Sequence, residues 1–172
     1  MGFITPSVPF AERWFIKMYN EKMYNELDEY LSDDFIPNYW YDEGVDIARE
    51  IISGFKEYDW KMLLEEISKK DIEWKKRIAY CLYNCDNKYE WLLLLKLLDT
   101  EDDELFVMSL DSLRSFINKE TTEFLINNSA VICRIKKLYY NSGRPIQIVL
   151  KDLIKQINEY MKVMEVDYIL EI

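Results

Sequence analysis

Residues 58–67 read YDWKMLLEEI and residues 89–98 read YEWLLLLKLL, and these two stretches decide the fold. Tyr58-Asp59-Trp60 returns as Tyr89-Glu90-Trp91 after 31 residues and, more loosely, as Thr122-Glu123-Phe124 after a further 33. Leu63, Leu64 and Ile67 fall at the offsets of Leu94, Leu95 and Leu98, so the copies share an apolar pattern of helical spacing as well as an opening. A repeat of this length, each unit opening a helix, implies stacked helical hairpins, because one hairpin covers its apolar face only against its neighbours. The second helices match as well when one residue is inserted at the turn. Asp71, Trp74, Ile78 and Cys81 then correspond to Asp103, Phe106, Leu110 and Leu113 at an offset of 32. An acidic residue at each of these starts suits capping and the helix dipole.

Outward from the repeat, three hairpins take shape at 58–84, 89–118 and 121–140, preceded by N-terminal helices over 10–55 and followed by a helix over 145–164. Trp14, Phe15, Met18, Leu27, Tyr30 and Leu31 give the first helical segment an apolar face. Within it, Lys17-Met18-Tyr19-Asn20-Glu21 is duplicated at once as Lys22-Met23-Tyr24-Asn25-Glu26. Five residues turn a helix by about 500°, so the two copies cannot share a face and the duplication is read as tolerated slippage. Asp33 to Gly44 reads as the first loop, broken by Pro37, Asn38 and Gly44, and a helix from Val45 to Phe55 follows with Ile47, Ile51 and Ile52 facing inward. Asn141-Ser142-Gly143 stops the third hairpin, and Pro145 opens the last helix, whose Leu150, Leu153, Ile154, Ile157, Met161 and Met164 would cap the open end of the stack. Residues 163–172 fit neither the helical nor the strand period. The expected architecture is all-α, a single helical-repeat domain spanning residues 1–172.

The chain has 172 residues, 49% of them hydrophobic and 15% aromatic, and so can bury roughly 70% of its unfolded surface without disulfide or metal. Thirty-two acidic against 22 basic residues leave a net charge of −10. That excess repels phosphate backbones, and no Lys/Arg stripe suited to a concave nucleic-acid face is evident. It also steers a basic partner into encounter, although solubility alone calls for the same charge. Histidine is absent, which removes the usual neutral-pH base and the commonest zinc ligand. Cys81, Cys85 and Cys133 lack CxxC spacing and read as reduced thiols in or near the core. No apolar stretch approaches the length of a membrane span and no signal peptide opens the chain, so a cytoplasmic location is expected.

Two constellations stand out as partner-binding candidates. Asp99, Glu101, Asp102, Asp103 and Glu104 put five carboxylates in six residues at the turn of the second hairpin. Capping covers one or two of them, and a basic partner would relieve the repulsion among the rest. A calcium site is a poorer fit, because the run lacks the alternating Asp positions and the distant Glu of a calcium loop. The second constellation sets Asp33 and Asp34 beside Tyr39, Trp40, Tyr41, Asp42 and Glu43. Tyr and Trp concentrate binding energy at interfaces, and flanking carboxylates suit a basic surface, although Trp40 could equally tuck into the core. Tyr139 and Tyr140 form a weaker case. No phosphate loop, nucleophile elbow or carboxylate dyad is present, so no catalytic residue, cofactor or metal is assigned.

The hairpins Asp59 to Asn84 and Tyr89 to Asn118 resemble HEAT or armadillo-like repeats over about half the chain. With its acidity, small size and abundance of Ile, Lys, Asn and Tyr, the chain also resembles the immunity proteins of bacterial polymorphic-toxin and contact-dependent inhibition systems. That resemblance implies a cytosolic antidote, monomeric when free, that binds a basic toxin domain such as a nuclease and occludes its active site. The alternative is a helical-repeat scaffold that holds a peptide or helix of another protein in an apolar groove. An enzyme working with carboxylates alone is a third possibility, which stabilisation by magnesium or manganese would favour.

Overall fold

The computed structural model describes residues 22–83, 87–164 and 170–171. These residues are all-helical with no β-strand among them, consistent with a helical-repeat fold. The helices are α1 (Lys22–Leu31), α2 (Val45–Ser53), α3 (Glu57–Glu66), α4 (Ile72–Cys81), α5 (Lys88–Leu97), α6 (Asp103–Leu113), α7 (Lys119–Asn127), α8 (Ser129–Asn141) and α9 (Arg144–Val163). The chain gathers into two compact units, residues up to Lys69 and residues from Lys70 onward. The division falls between α3 and α4, which the sequence reads as one hairpin. The expectations for residues 10–21, Cys85 and the turn at Asn84, and for residues 165–169 and 172, lie outside the described residues.

The repeat is sharper in the structure than in the sequence. The residues capping α3, α5 and α7 are Lys56, Asn87 and Asn118, spaced evenly by the same interval that separates Tyr58 from Tyr89. Three residues inside each start sits a buried polar side chain: Asp59 at 2% exposure, Glu90 at 1% and Thr121 at 0%. The third copy is therefore framed on Thr121, two residues before Glu123, which the Thr122-Glu123-Phe124 match sets at that place. Its Oγ1 accepts from the Asn118 N–H at 3.0 Å and donates to the Phe116 carbonyl at 2.6 Å, while the Asn118 side chain accepts from the Thr121 N–H at 2.9 Å. This reciprocal box satisfies donors that a helix start leaves open.

The inserted residue in the second helices is likewise not needed. Asp71 caps α4 by accepting from the Trp74 N–H at 2.9 Å, and Asp102, one repeat interval further on, caps α6 by accepting from the Leu105 N–H at 2.7 Å. In that frame Trp74, Ile78, Ala79 and Leu82 align with Leu105, Ser109, Leu110 and Leu113, all buried. The apolar match of the first helices holds, with Leu63, Ile67, Leu94 and Leu98 buried and Leu64 and Leu95 half-buried.

In the first unit α1 packs against α2 and α3. Leu27 and Leu31 of α1 are buried, as are Val45, Ala48, Ile51 and Ile52 of α2 and Trp60 and Leu63 of α3. Each such large aliphatic side chain contributes about 1.5–3 kcal/mol by leaving water. The predicted loop Asp33 to Gly44 is instead partly helical: a turn at Pro37–Tyr39 runs through a π-helical turn at Trp40–Gly44 into α2. Proline suits the start of a helix, where its missing N–H has no partner to lose. Gly44 has helical φ of −61°, so its role is close approach and not a left-handed turn. A Cβ there would stand 2.9 Å from Cε3 of the buried Trp40 ring.

Helix propensity alone favours Gly44→Ala by about 1 kcal/mol, while overpacking a buried ring costs about 1–3 kcal/mol. The expected outcome in chemical denaturation is a net loss of about 1 kcal/mol. Gly54→Ala, whose nearest neighbour is the flexible Met23 methyl at 2.7 Å, should be close to neutral. Equal effects at the two positions would remove the role given to the Trp40 contact.

In the second unit α6 is the central helix and packs against α4, α5 and α9, while α9 also packs against α8. Leu150, Leu153, Ile154, Ile157 and Met161 form the buried face of α9. Arg114, in the 3-10 turn after α6, donates to Asp152 of α9 at 2.7 Å and is also paired with Asp111. Burial opposes the charge on Arg114, but the two carboxylates outweigh it and raise its pKa, while the same bond from Arg114 lowers that of Asp152. Among the described residues no helix is long and apolar enough to cross a membrane.

Candidate functional site

The acidic turn between α5 and α6 is not a bare cluster of like charges. Asp102 is the cap of α6. Asp103 accepts from the Arg134 guanidinium of α8 at 2.7 Å, and Glu104 accepts from the Lys76 ammonium of α4 at 2.5 Å. Lys76 also reaches Glu73 at 3.2 Å and Asp102 at 3.7 Å. Its hydrogen bond to Glu104, helped by Glu73 and working against burial, raises its pKa above the ordinary lysine value. Arg134 further donates to the carbonyls of Thr100 and Glu101 and lies 4.2 Å above the Phe106 ring.

The mutual repulsion expected of five carboxylates is therefore corrected: three of them have partners within the second unit. Asp99 and Glu101 remain exposed and enter no ion pair with a described residue. They stand at a pocket of about 380 Å³ whose apolar lining includes Leu95, Phe106 and Phe124.

In the first unit the aromatic segment divides. Trp40 is 5% exposed and packs on Phe35 with ring centroids 5.1 Å apart, while the Tyr30 hydroxyl donates to the Gly44 carbonyl at 3.2 Å. Trp40 thus belongs to the core. Tyr39 stacks on Phe35 at 6.1 Å and stays partly exposed, and Tyr41 is 59% exposed. Asp33, Asp34, Asp42 and Glu43 are exposed beside them, with Asp33 accepting from the Asp34 N–H at 2.9 Å. Tyr41 and the carboxylates Asp34, Asp42 and Glu43 thus stay exposed where Trp40 is buried.

A feature absent from the sequence reading lies in the same unit. An open groove of about 1100 Å³ runs between α1 and α2, lined by Glu26, Glu29, Asp33 and Glu50 around Met23, Tyr30, Ile47 and Ile51. Ile47, expected to face inward, is 37% exposed in this groove. The core stripe of α2 is Val45, Ala48 and Ile52, with Ile51 at its edge, and Ile47 falls beyond that edge.

A second missed feature is basic. Arg144, Lys151, Lys155 and Lys162 of α9 are all exposed, and offsets of 7, 11 and 18 residues bring them to within about 20° of one line along the helix. Lys155 pairs with Glu159 at 3.7 Å. A stripe of Lys and Arg therefore does exist on this acidic chain, on an exposed side of α9 away from its buried side chains. Of the cysteines, Cys81 is buried but Cys133 is exposed on α8, which corrects the expectation of a core position. Tyr140 is exposed, its ring set edge-on to Tyr139 at 5.4 Å. Among the described residues no three His, Cys, Asp or Glu side chains converge as metal ligands would. Compared with protein-family models, with curated proteins and with solved structures, the chain shows no match.

Proposed function

We propose that the protein is a stoichiometric binding protein for a basic partner, an antidote that occludes the catalytic cleft of a basic toxin domain such as a nuclease. The observation that supports this reading is that Asp34, Tyr39, Tyr41, Asp42 and Glu43, all from one short segment of the first unit, are exposed, none of the three carboxylates entering an ion pair with a described residue. Such a surface offers carboxylates where a nuclease expects phosphates, and rigid rings that remove apolar area from water on contact. The net charge of −10 adds long-range steering. A scaffold that holds a peptide or helix is the second reading, favoured by the exposed Ile47 in the groove of the first unit.

The test is a titration of the full chain against the product of the adjacent upstream gene, followed by light scattering, association kinetics and the partner's own activity. A one-to-one complex, loss of that activity at one equivalent, and association slowed roughly tenfold from low to high salt are the expected results. A complex indifferent to salt would favour the scaffold, and no complex would sink the antidote. In the second unit, Asp99→Lys with Glu101→Lys tests whether the acidic turn contributes, since neither side chain supports the fold. Asp102→Lys with Asp103→Lys would not be a clean probe, because it removes a helix cap and the partner of Arg134.

A further inference from the structure

We infer that the groove between α1 and α2 is a docking site for a basic amphipathic helix of a partner protein. Its floor is apolar and open: Ile47 is 37% exposed although it is a large side chain on a packed helix, and Met23 and Ile51 flank it. Its rim is acidic on both sides, with Glu26 and Glu29 from α1, Asp33 from the turn after it and Glu50 from α2, and among the described residues no Lys or Arg lines it. Glu26, Glu29 and Glu50 enter no ion pair with a described residue. Its volume of about 1100 Å³ exceeds the roughly 300–1,000 Å³ of ordinary small-molecule pockets and suits a peptide segment.

Charge decides the chemistry of the occupant. A neutral helix laid on Met23, Ile47 and Ile51 would cover the floor but strip water from four carboxylates without replacing it. An acidic helix would add repulsion. A helix with apolar anchors at i, i+3, i+4 and i+7, flanked by Lys or Arg, satisfies floor and rim together. This goes beyond the antidote reading by giving a basic partner a contact on the groove that also favours the scaffold. It rests on that reading only in assuming a basic partner, and it is tested without the toxin, so that its failure leaves the stoichiometric complex to be judged by its own titration.

The probe is a synthetic helical peptide of about 14 residues built from Leu and Lys, with Leu at the anchor spacing, beside a scrambled Leu/Lys peptide of equal charge. Binding to the full chain is followed by fluorescence anisotropy and mapped by amide chemical shifts. The expected results are shifts confined to α1 and α2, and affinity about tenfold weaker for the scrambled peptide. Glu26→Lys with Glu50→Lys should weaken binding of the patterned peptide by about tenfold, whereas the charge-matched pair Glu120→Lys with Glu123→Lys, on α7, should stay within about twofold. Ile47→Ser should weaken binding at unchanged net charge. Equal losses from the two Lys pairs, shifts centred elsewhere, or a homodimer of the free chain that Glu26→Lys with Glu50→Lys dissociates would each overturn the proposal, the last by giving the groove to a second copy.

Discussion

Replacing Asp59 by alanine is expected to destabilise the protein by about 3 kcal/mol, the largest effect of any single substitution considered. The carboxylate is 2% exposed, and its two oxygens are used separately: Oδ2 accepts from the Lys56 N–H at 2.9 Å and Oδ1 from the Tyr24 N–H at 3.2 Å. One bond closes the start of α3 and the other ties α3 to α1, so a single side chain joins a cap to a tertiary contact. Truncation takes the acceptor from the Lys56 N–H at the start of α3 and breaks the bond to α1, and a buried donor that loses its acceptor costs about 1–3 kcal/mol, more than the net gain of a satisfied bond. Asp59→Asn keeps one acceptor and turns an amide donor toward the other N–H, so it should fall between wild type and alanine. The measurement is equilibrium unfolding in urea with unchanged slope. A loss below about 1 kcal/mol for alanine would mean that water reaches these donors, and would remove Asp59 from the account of how α1 is held.

Arg134→Ala should cost about 2 kcal/mol, and Arg134→Lys should recover less than half of that. The guanidinium reaches the Thr100 and Glu101 carbonyls and the Asp103 carboxylate while lying over the Phe106 ring. Only a planar fork with several donors does all of this at once. Lysine keeps the charge but not the geometry. A stability measurement alone would not separate this clamp from lost packing, so hydrogen exchange at residues 99–102 is the sharper readout. Faster exchange there in both variants is the expected result, and exchange unchanged in Arg134→Lys would show that charge alone orders the turn.

The helices and their buried faces were legible in the sequence because a single period, the step from Tyr58 to Tyr89, repeats both an opening and an apolar pattern. What escaped was information that a one-dimensional period does not carry. The third copy was misframed because Thr121 replaces a carboxylate with a hydroxyl, and the chemistry at that place is hydrogen bonding near a helix start, which several residue types perform. Ile47 was placed inward because three isoleucines outweighed Val45 and Ala48 in the pattern, although the smaller pair marks the close approach of helices. The pairing of the acidic turn is hidden from the sequence because Lys76 and Arg134 lie 28 and 31 residues away along the chain from the carboxylates they meet. Trp40 was undecided in sequence because a tryptophan serves equally in a core or at an interface, and the space opened by Gly44 decides it.

The buried polar groups at Asp59 and Thr121, each bonded to the N–H of the residue that caps its own helix, set how such a chain can change in length. Apolar faces tolerate sliding, since one leucine replaces another with modest loss, but an acceptor aimed at a particular backbone donor does not. Insertion of one residue between Lys56 and Asp59, or between Asn118 and Thr121, would move the acceptor about 100° around its helix and leave the donor unmet. Lengthening by a whole repeat unit would restore every such bond in the added copy. The chain is therefore built to grow or shrink by complete hairpins, with single-residue variation left to the connections between them.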